Sequence, residues 1–264
     1  MIGVVLGATA IGCSGAADPR APFALEFLQL PWPSVVVGDT LRDSTGAAAP
    51  LRAFVFDGDG RRLTTAVVTF VPLDTGVRQF GTGGLVSTGW RTSPVRLVAS
   101  VDGLQSRPLP LLVTRRPDTL VAASATAPVV SYALPQVDPT NLSTAVQVRL
   151  RSRQVVSGAP PDSTVPGWVV RFAVVQGPTT TRVDSVQLVA EAASISVAGL
   201  TARTERDTTD AAGTAGVKLR VFPQVGQTTE DSVVLQATAE AFGRPVPGSP
   251  VRLVVRLRPR PAAP

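Results

Sequence analysis

Apolar and polar residues alternate with a period of two along most of this chain. The pattern is clearest in Ala145-Val-Gln-Val-Arg-Leu150, where Val146, Val148 and Leu150 fall on one face and Gln147 and Arg149 on the other. Successive side chains of a strand leave opposite faces of a sheet, so this period predicts half-buried strands rather than helices. The first set of predicted strands is Leu25–Leu30, Val35–Val37, Leu51–Phe56, Ala66–Val71, Leu85–Ser87, Val95–Val101 and Leu109–Val113. Turn chemistry separates them: Pro31-Trp-Pro33, Gly38-Asp-Thr40, Asp57-Gly-Asp-Gly60, Gly83-Gly84 and Asp102-Gly103. Gly, Asp and Pro mark turns because each tolerates or imposes backbone angles that a ladder does not use.

Short strands at this spacing predict an immunoglobulin-like sandwich of ~100 residues. Arg115-Arg-Pro-Asp118 reads as a linker, and a second set follows. It comprises Thr119–Ser124, Ala145–Leu150, Trp168–Val175, Val183–Ala190, Ile195–Val197, Ala215–Phe222, Ser232–Ala239 and Val251–Leu257. The expectation is all-β: tandem immunoglobulin-like antiparallel sandwiches over residues 24–115 and 116–258, with a proline-rich disordered tail at 259–264. No stretch shows a helical stripe.

Composition agrees. Apolar residues make up 44% of the 264 and charged residues 17%, enough to build a core. Valine, threonine, glycine and proline are frequent, histidine is absent, and Lys218 is the lone lysine. The net charge is +6, which raises the question of nucleic acid, but the distribution argues against it. Between Phe23 and Thr114 eight arginines face seven acids, and from Thr119 to Arg258 thirteen basic residues face ten acids. Aromatics are only 5%, and nucleic-acid binders concentrate charge on one face and interleave aromatics. The alternating arginines, as in Arg149-Leu-Arg-Ser-Arg153, read as solvated strand faces, and no nucleic-acid partner is expected.

Met1 to Gly12 is apolar but too short to span a bilayer, which takes ~20 residues as a helix. It suits an export signal, although no Lys or Arg precedes it. Ala10-Ile11-Gly12-Cys13 resembles the lipobox of bacterial lipoproteins, and Cys13 is the only cysteine. The resemblance implies cleavage before Cys13, a diacylglyceryl group on its thiol, and a membrane partner through that lipid anchor. Residues 1–12 are then a signal peptide and 13–23 a flexible tether. Ser14 after the cysteine resembles the outer-membrane sorting pattern, which implies an outer-membrane lipoprotein on the periplasmic or surface face.

Further resemblance lies in the strands. Gly38-Asp-Thr40, Asp57-Gly-Asp-Gly60, Val67-Val-Thr-Phe70 with Asp74, Gly84-Leu-Val86 and Val95 to Gly103 resemble bacterial Ig-like domains of group 2, with Phe70 where that family usually has Trp. Val169-Val-Arg-Phe172, and Thr209-Asp-Ala-Ala-Gly-Thr-Ala215 followed by Val217, resemble group 1, found in intimin and invasin. Insertions at Pro135–Asn141 and Ser157–Gly167 depart from the compact form. Such modules serve as spacers or adhesion modules, and a fold likeness does not fix a ligand.

Candidate chemistry is sparse. Asp57 and Asp59 offer carboxylates, but Arg61-Arg62 follow, and a hairpin turn suits them better than a calcium loop. Asp118, Asp207 and Asp210 stand near a domain junction, where calcium remains open. Without histidine, His-based triads and general bases are unavailable, so no catalytic residue, metal or cofactor is expected. Trp168 heads an apolar strand and reads as core. Trp32, between two prolines, and Trp90, before Arg91, are the candidates for ligand contact. The expected function is a non-catalytic envelope lipoprotein acting as spacer and adhesion or protein-interaction module. The alternatives are a carbohydrate-binding accessory module presenting exposed Trp residues, and a carboxylate-based glycan-processing enzyme.

Overall fold

A computed structural model describes residues 20–124, 126–133, 141–160, 164–177, 186–190, 204–223 and 229–260. The leader, Cys13 and the lipobox residues Ala10, Ile11 and Gly12 lie outside the described residues, as do Ile195–Val197 and residues 261–264. Among the described residues the chain is all-β, with no helix.

The first half contributes β1 (Ala24–Glu26), β2 (Ser34–Val36), β3 (Phe54–Phe56), β4 (Thr69–Pro72), β5 (Val77–Phe80), β6 (Gly84–Ser87), β7 (Val95–Val101), β8 (Leu104–Gln105) and β9 (Leu109–Thr114). Strands β2-β9-β7-β4 form one sheet, with β8 on β7, while β1-β3 and β5-β6 form two-stranded pairs. The alternation of β7 decides its inner face: Val95, Leu97 and Ala99 enter a core with Phe27, Leu41, Leu51, Phe70, Leu85 and Leu111. Phe70 meets Phe27 there, ring centroids 5.4 Å apart.

The second half contributes β10 (Thr119–Ala122), β11 (Val129–Tyr132), β12 (Val146–Arg151), β13 (Val169–Gln176), β14 (Val186–Ala190), β15 (Thr204–Thr208), β16 (Thr214–Val221), β17 (Asp231–Thr238), β18 (Glu240–Ala241), β19 (Arg244–Pro245) and β20 (Val251–Pro259). A four-stranded sheet, β10-β12-β16-β14, packs on a five-stranded one, β11-β20-β17-β13-β15. Val148, Leu150, Val217 and Leu219 of the first meet Phe172, Leu235, Val255 and Leu257 of the second in one core. Two sheets sharing their inner faces make an immunoglobulin-like sandwich. All strands pair antiparallel except β2 with β9 and β11 with β20. A bulge between Val174 and Gln176 shifts the register of β13 against β17.

Boundaries differ from expectation where neighbours override pattern. Leu25–Leu30 shortens to β1, and Leu28 is 77% exposed, because the approach to Pro31 and Pro33 leaves no ladder partner. β20 runs through Pro259, paired with Tyr132, and the Arg260 N–H donates to the Tyr132 carbonyl at 2.7 Å. The tail expected from 259 is therefore strand at its first residue. Six strands were not anticipated: β5, β8, β11, β15, β18 and β19.

Candidate functional site

Several specific side-chain interactions between distant parts of the chain lie where the two cores meet. Pro31 and Pro33 fix the backbone around Trp32, and β2 then carries the chain directly into the boundary. Val36 of β2 is buried in the second core, and Trp32 packs against both cores. Across from it, Trp168 is 4% exposed and stands edge-on to Trp32, centroids 5.6 Å apart at 66°. Edge-to-face pairs of this kind add ~0.5–1.5 kcal/mol beyond the area they bury.

The Trp168 side chain is locked by its surroundings. Its Nε1 donates to the Glu240 carbonyl at 3.0 Å. Its backbone N–H donates to Thr209 Oγ1 at 2.8 Å, and that hydroxyl donates to the Val165 carbonyl at 2.7 Å. Ser34 Oγ donates to the Gly167 carbonyl at 2.8 Å, a buried bond joining residues 133 apart in sequence. Gly167 is needed for this approach, since a Cβ there would sit 2.6 Å from Leu112 Cδ1 and 3.1 Å from Ser34 Cβ.

A second strut runs through Arg42. Its guanidinium donates to Asp39 with Nε–Oδ2 and Nη2–Oδ1 both at 3.0 Å, and to the Gly46 carbonyl at 2.9 Å. The same group lies 4.9 Å above the Phe242 ring of the second half. Burial pushes the Asp39 carboxyl upward, but the Arg42 and Thr40 hydrogen bonds, with the Arg42 charge, hold it below the ordinary carboxylate value. Gly46 has φ +85°, and a Cβ there would lie 2.3 Å from the Phe242 carbonyl carbon. Here only glycine fits, both for conformation and for closeness.

A third strut is Arg115, 3% exposed, whose guanidinium lies 5.2 Å over the Trp90 ring and donates to the Pro160 carbonyl. Asp118 accepts the Arg153 N–H at 2.7 Å and lies 3.5 Å from Arg116. Four buried side-chain atoms among the described residues have no hydrogen-bond partner: Trp32 Nε1, Trp90 Nε1, Thr114 Oγ1 and Arg115 Nε. All four belong to the segments that form these struts, so the closeness of the halves is achieved at some polar cost.

Each expected site residue can now be placed. Trp32 and Trp90 are half-buried with their indole nitrogens inside, and neither lies open on a flat face. Trp168, expected in the core, is buried. Asp57 Oδ1 accepts the N–H groups of Asp59 and Arg61, which makes the turn. Asp210 Oδ1 accepts those of Ala212 and Thr214, and Asp207 Oδ2 that of Gly216. Among the described residues no three metal-ligating side chains cluster. The cavity between Trp32, Ser34, Arg42, Trp168, Glu240 and Phe242 measures only about 20 Å³, far below the ~300 Å³ of a ligand pocket. These contacts join the two halves of the chain. Sequence reasoning missed Ser34, Arg42, Gly46, Gly167 and Phe242, and the sole sign of the junction in the chain was the pair of prolines beside Trp32.

No family model matches the chain, and no curated protein matches it. Among solved structures it is similar to the adhesin InvE of Yersinia pseudotuberculosis, at 18% identity over 84% of this chain and 56% of that one, with a TM-score of 0.34. It is also similar to the protocadherin GammaB4 extracellular domain, at 14% identity over 90% of this chain and 34% of that one, TM-score 0.28. Alpha-2-macroglobulin of E. coli gives 17% identity over 94% of this chain and 15% of that one, TM-score 0.32. The chain spans little more than half of the first of these structures and less of the others. The sandwich architecture rests on its own sheet order and cores.

Proposed function

We propose that this chain is a non-catalytic interaction and spacer module of the bacterial cell envelope. Two sandwiches, 24–115 and 116–258, are held as one unit and tethered through a lipid on Cys13 to the outer membrane, on its periplasmic or surface face. The observation that carries the reading is the fused junction: Trp32 packs on both cores, and the buried Ser34–Gly167 bond ties them. A spacer works by keeping a distal surface at a fixed distance and orientation, which a flexible linker between domains does not do. The Ig-like resemblance of the strands supports the same reading.

The carbohydrate reading through Trp32 and Trp90 is weaker, because both indoles turn inward. A carboxylate enzyme is weaker still: Asp43, Asp57, Asp207 and Asp210 each accept backbone N–H groups at turns or strand ends.

Two measurements test the proposal. Mass spectrometry of native-host membranes should find a lipid-modified N-terminal cysteine, and Cys13→Ser should release the chain to the soluble fraction. An unprocessed soluble chain removes the anchor. Small-angle scattering of the Cys13→Ser chain should fit one fixed arrangement of the two halves. A broad distribution of arrangements removes the spacer.

A further inference from the structure

The solvent face of the five-stranded sheet carries a row of arginines. The burial alternation of β20 points Leu253, Val255 and Leu257 inward and leaves Arg252, Arg256 and Arg258 exposed. On β13 and β15, Arg171 and Arg206 are exposed and directly opposite one another. Register places these five on one diagonal. Arg171 pairs with Thr238 of β17, Arg252 with Gln236, and Arg256 with Ser232, so the positions descend along β17 while crossing from β15 to β20. At ~3.4 Å per residue and ~4.8 Å per strand, the diagonal runs roughly 30 Å.

Two features make this more than a solvated face. Like charges directly opposite each other on neighbouring strands are destabilising, yet Arg171 and Arg206 are so placed. Among the described residues, Arg258 alone of the five has a carboxylate partner, Glu230 at 3.2 Å. The carboxylates flanking Arg206 belong to the alternate register positions, Glu205 opposite Phe172 and Asp207 opposite Val170. Between the arginines the same face presents Ser232, Gln236, Thr238, Thr204 and Thr208, together with the apolar Ala173, Val234 and exposed Val254, and no aromatic residue.

We infer that this diagonal binds a linear acidic polysaccharide, its carboxylate, sulfate or phosphate groups meeting the arginines in turn and its hydroxyls meeting the Ser, Thr and Gln side chains. Guanidinium groups fit such oxyanions through paired N–H donors. The lack of aromatics removes the stacking platform that single-stranded nucleic acid uses, and the sheet offers no helix for a duplex groove. The inference gives a ligand class to the interaction module proposed above and rests on that reading. It concerns the second sandwich alone, so its failure leaves the anchor and the junction standing.

The test uses the full chain with Cys13→Ser and measures affinity for polygalacturonate and dextran sulfate at low salt, with neutral dextran beside them. Both polyanions should bind, neutral dextran should not, and affinity should fall steeply as salt rises. Arg206→Glu and Arg256→Glu should each weaken binding by about tenfold or more. Arg78→Glu, an exposed change on β5 of the other half with the same charge difference, should weaken it by less than about twofold. Arg206→Glu should also melt no lower than the parent, because it turns a repulsive pair into an attractive one, so lost binding is not lost folding. No binding, equal loss from Arg78→Glu, or tighter binding to duplex DNA or to phosphatidylglycerol vesicles would overturn the proposal.

Discussion

Trp32 and Trp168 meet edge to face at the boundary of the two cores, yet only one of their indole N–H groups is satisfied. Trp168 Nε1 donates to the Glu240 carbonyl, whereas Trp32 Nε1 is buried without a partner. The pair therefore joins the halves through ring contact, and only Trp168 adds a directional bond.

This asymmetry predicts different responses to the same substitution. Trp32→Phe removes an orphan donor and keeps an aromatic ring, so stability should change by less than about 1 kcal/mol. Trp168→Phe strips the Glu240 carbonyl of its donor and should cost about 1–3 kcal/mol. Urea denaturation, with slopes compared to confirm that only stability changed, reads both. Equal costs would mean that the indole nitrogens are immaterial at this boundary.

The Ser34 hydroxyl is the next strut. Ser34→Ala leaves the buried Gly167 carbonyl without its donor and should lower stability by about 1–3 kcal/mol. It should also widen the distribution of arrangements in small-angle scattering. A loss of stability with an unchanged scattering profile would place the bond in the fold but not in the fixing of the halves.

Gly46 tests how closely the halves are pressed. Gly46→Ala combines positive φ with a Cβ 2.3 Å from the Phe242 backbone. Gly38→Ala shares the positive φ but has nothing within 4 Å. The conformational penalty, about 1–3 kcal/mol, is common to both. The Gly46 variant should be the less stable of the two in thermal melts, and the difference isolates the collision with the second half.

The sandwich was legible in the chain because its inner positions alternate without interruption: Val95 to Val101, Val146 to Arg151 and Val251 to Pro259 each read as one apolar face. β15 was not. Its residues Thr204-Glu-Arg-Asp-Thr208 are all polar, and it is an edge strand held by its ladder to β13 and by Asp207 accepting the Gly216 N–H. β5 hid for a related reason, since Phe80 is 46% exposed and the strand pairs only with β6. The junction was hidden more deeply. Ser34, Gly46 and Arg42 act on Gly167 and Phe242, more than a hundred residues away, and no local period records such a meeting. What the chain does announce is an aromatic between prolines at Trp32.

Acid should loosen the first sandwich at a defined place. Arg96 donates Nε to Asp74 Oδ2 at 3.0 Å and Nη2 to Oδ1 at 3.2 Å, and its backbone N–H reaches Oδ2 at 2.9 Å. The Arg96 side-chain bonds, then this backbone bond, lower the Asp74 pKa from 3.8 to about 2, against the opposing effect of desolvation. In the unfolded chain the carboxyl titrates near its ordinary value, so between these two values the unfolded state binds more protons and stability rises with pH. The contribution is therefore complete above about pH 4 and is lost as pH falls toward about 2. Asp39 is lowered in the same direction and adds to the slope. Asp74→Asn should flatten the dependence of stability on pH across this window and leave the slope above pH ~5 unchanged. Chemical denaturation at a series of pH values measures both, and identical slopes for parent and variant below pH 4 would show that the Arg96 pair does not link folding to protonation.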